Sequence, residues 1–82
     1  MDTKMKDIKV KVELEVNRFR IYVNGIIHIS FNINDFVGIQ SYFIDRKCHI
    51  DFHLKDTTIE AEYTRMDLWH KILDELKTQK FI

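Results

Sequence analysis

Apolar and polar residues alternate along most of this chain. In IKVKVELEV, Ile8, Val10, Val12, Leu14 and Val16 fall on one face, and Lys9, Lys11, Glu13 and Glu15 fall on the other. That period of two is the pattern of a half-buried strand. It recurs five times, which predicts strands over residues 8–16, 19–23, 26–33, 37–44, 47–55 and 58–64. The inward set is expected to be Phe19, Ile21 and Val23, then Ile27, Ile29, Phe31 and Ile33, then Val37, Ile39, Ser41 and Phe43, then Cys48, Ile50, Phe52 and Leu54.

Pairing between neighbouring strands follows from matching character across each turn. A turn at Asn17-Arg18 sets Val16 opposite Phe19, Leu14 opposite Ile21, Val12 opposite Val23 and Glu15 opposite Arg20. A three-residue turn, Val23-Asn24-Gly25 with Gly25 left-handed, sets Ile21 opposite Ile27 and Phe19 opposite Ile29. Turns near Asn34-Asp35 and at Asp45-Arg46 lead into and out of the fourth strand. A turn at Asp56-Thr57 sets Leu54 opposite Ile59, His53 opposite Glu60 and Asp51 opposite Glu62.

After Thr64 the period changes to that of a helix. Met66, Trp69, Ile72, Leu73 and Leu76 share one stripe, with Lys71, Asp74, Glu75 and Lys77 opposite. T-R-M-D has the form of a capping box with Asp67 at its third position. The helix is expected over residues 65–78, with TQKFI fraying beyond it. An open sheet with one apolar face must be covered. The expected fold is therefore α+β: a six-stranded antiparallel meander sheet, twisted or rolled into a half-barrel, covered by one C-terminal amphipathic helix.

The chain has 82 residues, enough for one thin core, so residues 1–82 read as a single domain. Thirteen basic side chains balance thirteen acidic ones, which lacks the basic excess of a general nucleic-acid binder. One cysteine, Cys48, fits a reducing compartment better than a disulfide framework. MDTKMKDIKV lacks the apolar core of a signal peptide, and no run approaches the ~20 apolar residues that span a bilayer. A cytoplasmic setting is expected. Two glycines and no proline leave no glycine-rich phosphate cradle.

His49, Asp51, His53, Glu60 and Glu62 gather on the outward face of the last hairpin. His49 and His53 lie four residues apart along a strand, roughly 13 Å at ~3.3 Å per residue, too far to share an ion easily. The best metal set is Asp51, His53 and Glu60, on an open surface with nothing to dry it. Cross-strand charge pairs on a wet face explain the cluster more simply. Cys48 points inward and reads as a buried thiol. His28 and His70 read as surface residues, and Trp69 as the anchor that docks the helix. Ser30 and Ser41 lack triad spacing. No enzyme signature is present, and no cofactor is expected.

Tyr22, Ile26, Phe36, Tyr42 and Ile44 are expected to face outward as an apolar patch rimmed by Arg20 and His49. Patches of this kind mark contacts. The patch fits a protein or ribonucleoprotein partner, or a second copy closing a homodimer. Lys9, Lys11, Arg18 and Arg20 around Tyr22 form the weaker candidate for single-stranded nucleic acid, since Glu13 and Glu15 share their face.

VNGIIHI, VGIQSYFID and LKDTTIEAEYTRMDLWHKILDELK together resemble small proteins of Bacteroidetes-type bacteria and their phages. They span about two thirds of the chain. The order of strands followed by a Trp-bearing helix is also similar to pleckstrin-homology-like modules, which implies a capped barrel. The phage resemblance implies stoichiometric inhibition of host machinery, anti-CRISPR and other anti-defence proteins included. It implies no catalytic residues.

Overall fold

The computed structural model describes residues 8–82. Within them the chain forms β1 (Val10–Glu15), β2 (Arg18–Val23), β3 (Ile26–Asn32), a 3-10 turn (Ile33–Asp35), β4 (Phe36–Ile44), β5 (Lys47–Leu54), β6 (Thr58–Tyr63) and α1 (Met66–Thr78). The α+β class and the order of elements agree with the alternation. The single sheet does not. The strands divide into two antiparallel meanders, β1-β2-β3 and β4-β5-β6, and neither closes into a barrel.

The division falls at Asn32-Ile33-Asn34-Asp35. Asn32 Oδ1 accepts the Asn34 N–H at 2.9 Å, which folds the chain into a tight turn instead of a hairpin. Each flank is then tied to its own sheet. The Ile33 N–H donates to the Asn17 carbonyl at 2.7 Å, and the Lys55 N–H donates to the Asp35 carbonyl at 2.9 Å. β3 crosses the second sheet instead of pairing with it. At one end Phe31 meets Phe36 and Phe52, and at the other His28 meets Tyr63.

The two sheets and α1 share one core. Val12, Phe19, Ile21, Ile29 and Phe31 come from the first sheet, Cys48, Ile50, Phe52 and Tyr63 from the second, and Ile72, Leu73 and Leu76 from the helix. Phe19 stacks on Phe31 at 4.6 Å between ring centres, with Phe52 at 6.4 Å from Phe19 and 5.8 Å from Phe31. Three aromatic rings in contact bury a large apolar area and add about 0.5–1.5 kcal/mol per pair beyond it.

Several local expectations shift. The first hairpin turns at Val16-Asn17, so Leu14 faces Phe19, Val12 faces Ile21 and Glu13 faces Arg20. Both registers match apolar with apolar. The observed one also opposes Glu15 to Arg18, but it holds Val16 at φ 58°, a left-handed conformation that a β-branched residue rarely adopts. The second hairpin is a two-residue Asn24-Gly25 turn with both residues at positive φ. The face crossing that such a turn creates is corrected by a bulge: Tyr22 faces Ile27 and Ile21 faces Ile29, which leaves His28 as the extra residue.

His28 stays exposed, as expected, but the bulge gives it a partner. Its Nε2 and the Tyr63 hydroxyl share a hydrogen bond of 2.7 Å, joining β3 to β6. The helix begins at Met66 rather than one residue earlier, and Thr64 does not cap it. Arg65 instead grips Asp67, Nη2 to Oδ2 at 2.6 Å, while Asp67 Oδ1 accepts the Leu68 N–H. The tail does not fray at Phe81. Lys80 takes φ 67°, the Lys80 N–H donates to the Lys77 carbonyl, and the Phe81 N–H donates to the Leu76 carbonyl. This is a Schellman ending, and it delivers Phe81 edge-on against Phe19 at 4.9 Å.

The strain at Val16 gives a direct test. Glycine adopts a left-handed conformation without a Cβ clash that costs about 1–2 kcal/mol. Val16→Gly should raise stability by about 1 kcal/mol in urea melts, since Val16 is exposed and buries nothing.

The His28–Tyr63 link predicts a dependence on pH at both ends. Partial burial holds the His28 pKa below its ordinary 6.5. The unfolded chain then binds more protons near that value, so stability falls as pH drops through about 6.5. Burial pushes Tyr63 up to about 12 from 10.0. The unfolded phenol ionises first, so stability also falls as pH rises above about 10. In urea melts across pH, His28→Gln should flatten the acid limb and Tyr63→Phe should shrink the alkaline one.

Candidate functional site

The outward face of the second sheet is assembled by two registers. Gly38, Gln40, Tyr42 and Ile44 on β4 stand opposite His53, Asp51, His49 and Lys47 on β5. His53, Asp51 and His49 in turn face Thr58, Glu60 and Glu62 on β6. The last pairing differs from the expected one by two residues along β6, because the turn moves back by one. The turn sits at Lys55-Asp56, where the Leu54 N–H donates to the Thr57 carbonyl at 2.8 Å. His53 therefore lies beside Thr58, with Nδ1 and Oγ1 3.1 Å apart, and Asp51 lies opposite Glu60.

At the centre of this face the Tyr42 ring stacks on His49, 4.7 Å between centroids and 8° from parallel. The Tyr42 hydroxyl donates to Asp51 Oδ2 at 3.2 Å. Asp51 is only 8% exposed, and its other oxygen, Oδ1, is buried without a hydrogen-bond partner. Partial desolvation, the hydrogen bond to Asp51, and the Asp51 and Glu60 charges raise the Tyr42 phenol above its ordinary value. Lys47 pairs with Glu62 at 3.2 Å. From the helix, Trp69 Nε1 donates to the His49 carbonyl at 3.1 Å while its ring packs on the core. Trp69 thus anchors the helix as expected and also fixes the strand that carries this face.

The expected patch is not one surface. Tyr22, Ile26 and Arg20 stand on the first sheet, and Tyr42, Ile44 and His49 on the second. Phe36 belongs to neither outer face. It is half-buried and stacks on Phe31 at 5.7 Å, because a bulge at Val37 turns it toward Leu54 and the core. Ile26 is exposed, at 73%. Leu14, Val16, Ile27, Val37 and Phe43, all expected to face inward, are exposed as well, as are Met66 and Ile82. Phe43 is on the core side of β4, as alternation requires, but β4 is an edge strand and the core does not extend beneath it.

The basic candidates Arg20 and Lys11 are engaged with acids. Arg20 reaches Glu13 and Glu15, each at 3.5 Å, and Lys11 reaches Glu13 at 3.5 Å. The Tyr22 hydroxyl donates to Glu13 at 3.2 Å, and Lys11 lies 5.9 Å over its ring. Arg18 faces Glu15 across the hairpin. Lys9 is fixed through its backbone, which donates to Asn24 Oδ1 and accepts from the Asn24 N–H. Lys9, Val10, Lys11, Glu13, Tyr22 and Gly25 line an open depression of about 480 Å³. Its two central charges, Lys11 and Glu13, satisfy one another.

Among the described residues, no three His, Cys, Asp or Glu side chains converge as a metal site. Asp51, His53 and Glu60 are not gathered, because His53 turns to Thr58. Cys48 is 1% exposed. No protein-family model matches the chain, and no curated protein or solved structure matches it.

Asp51 stands opposite a second carboxylate with one oxygen buried and unpartnered, an arrangement that opposes stability. Asp51→Asn should therefore stabilise the fold by up to about 1 kcal/mol, read as a higher urea midpoint at neutral pH. A lower midpoint would mean that the Tyr42–Asp51 hydrogen bond outweighs the repulsion.

Proposed function

We propose that this protein is a non-enzymatic binding protein that docks on a larger macromolecular complex through the second sheet and modulates it. The observation that carries this reading is the far end of β4. From Gln40 to Ile44 every residue is exposed, and Tyr42 and Ile44 stand outward beside a pre-set His49 ring. An aromatic side chain held by stacking loses little conformational freedom on contact, which is how interface anchors work. Glu60 stands exposed on the same face, so a partner protein or ribonucleoprotein with a basic side chain to meet it fits best. The setting we infer is the cytoplasm. Among the described residues no helix is long and apolar enough to cross a membrane. The resemblance to small phage proteins adds a role as a stoichiometric inhibitor of host defence, of the anti-CRISPR kind.

The test is capture of partners from host lysate by the tagged chain, with and without nuclease. A stoichiometric protein partner that survives nuclease is expected. The double variant Tyr42→Asp with Ile44→Asp should keep the circular dichroism of the parent and weaken capture by at least about tenfold, as loss of a central anchor does. Undiminished capture would remove this face from consideration.

A further inference from the structure

We infer that the free edge of β4 pairs antiparallel with β4 of a second copy about a two-fold axis at Ser41. The inference rests on the backbone of β4 and does not require the partner proposed above.

Among the described residues β4 is the longest strand, nine residues, and its outer side is hydrogen-bonded to no other strand. The hairpin to β5 turns on two residues, Asp45 and Arg46, both at positive φ. A two-residue turn makes Ile44 and Lys47 the hydrogen-bonded closing pair. Alternation along an antiparallel ladder then directs the N–H and C=O of Ile44, Tyr42 and Gln40 toward β5. Those of Phe43, Ser41 and Ile39 point outward, an unmet row of donors and acceptors.

Native edges are normally blunted by charge, bulges, cover or shortness. β1 carries Lys11, Glu13 and Glu15, and α1 packs against it. β6 carries Glu60 and Glu62. β3 is interrupted by the His28 bulge, and His28 is fastened to Tyr63. FVGIQSYFI contains no charged residue at all. Its one bulge, at Val37, lies at the far end and leaves Gly38 to Ile44 regular.

The occupant follows from the sequence of the edge itself. With Ser41 on the two-fold, Ile39 of each copy faces Phe43 of the other on the inner side. Gln40 faces Tyr42, and Gly38 faces Ile44, on the outer side. Residues of like face meet throughout, as antiparallel pairing requires. Phe43, 52% exposed in the single chain, gains an apolar cross-strand neighbour on both sides of the axis. No like charges meet, whereas a copy of β1 or β6 laid on itself would bring carboxylates or lysines together. The contact is isologous, so it closes at two copies. It joins the sheets as β6-β5-β4 with its symmetry mate and places two Tyr42–His49 stacks on one continuous six-stranded face. A strand pair with its flanking side chains lies at the small end of stable interfaces, so the dimer should form in the micromolar range.

The test is the mass of the full chain in sedimentation velocity across that range. The expected result is a shift from 10.0 kDa toward twice that value with rising concentration. Ser41→Pro removes an outward N–H and none of the β4–β5 bonds, and proline is tolerated on an edge. Phe43→Lys places a charge on the same edge. Both should remain monomeric with the parent's circular dichroism. Should the proline variant fail to fold, the lysine variant decides. Mild oxidation of Ser41→Cys should give a disulfide-linked dimer, and Thr58→Cys on β6 should give none. A monomer at every concentration, a dimer that persists in Phe43→Lys, or an open ladder of larger species would overturn the assignment. Because this is read on the pure protein, it succeeds or fails separately from capture of a host partner.

Discussion

Phe19, Phe31 and Phe52 are the contact on which the rest of the structure depends. They bring β2, β3 and β5 together across the space between the two sheets, and Phe81 closes over Phe19 from the end of the helix. An 82-residue chain cannot bury two separate cores. Two small sheets are stable here only because their apolar faces and the stripe of α1 enclose the same volume. The strands that lie over that volume, β2 and β5, carry fully buried side chains. β4, beyond its margin, carries none.

The proposed function rests on that margin. A strand whose inner face has little core beneath it and whose outer edge pairs with no strand among the described residues leaves apolar side chains and backbone groups to solvent together. Nothing in β4 adds the charge that usually protects such a strand. The neighbouring β5 is held firmly, with Trp69 bonded to the His49 carbonyl, so the exposed strand is presented on a rigid support. The binding reading and the pairing reading use different parts of the same element, its outward side chains and its free edge.

Much of this was legible in the sequence. Alternation located all six strands, the helix and the centre of the buried set, but Leu14, Val16, Ile27, Val37, Ser41 and Phe43, expected inward, are exposed, because the shared core does not reach beneath every strand end. Register was less legible. At the first hairpin, two registers separated by two residues both match apolar with apolar, and the turn falls on Val16, a residue with no turn preference. The bulge at His28 reconciles an Asn-Gly turn with the faces of β2 and β3, and only the three-dimensional arrangement reveals it. One sheet and two sheets bury the same residues, so alternation could not separate them. The Asn32-Ile33-Asn34-Asp35 segment was the available signal. The outward patch divided for the same reason, since its members were assigned to a sheet that is in fact two.

The central claim is that β4 is held by one edge only. Amide hydrogen exchange of the dilute chain, resolved residue by residue, tests it most directly. The expected result is alternation along the strand: slow exchange at Gln40, Tyr42 and Ile44, whose amides are bonded to β5, and fast exchange at Ile39, Ser41 and Phe43. Uniform protection would mean that something already covers the edge in the single chain, and uniform fast exchange would mean that β4 is not paired with β5. Either result would contradict the account.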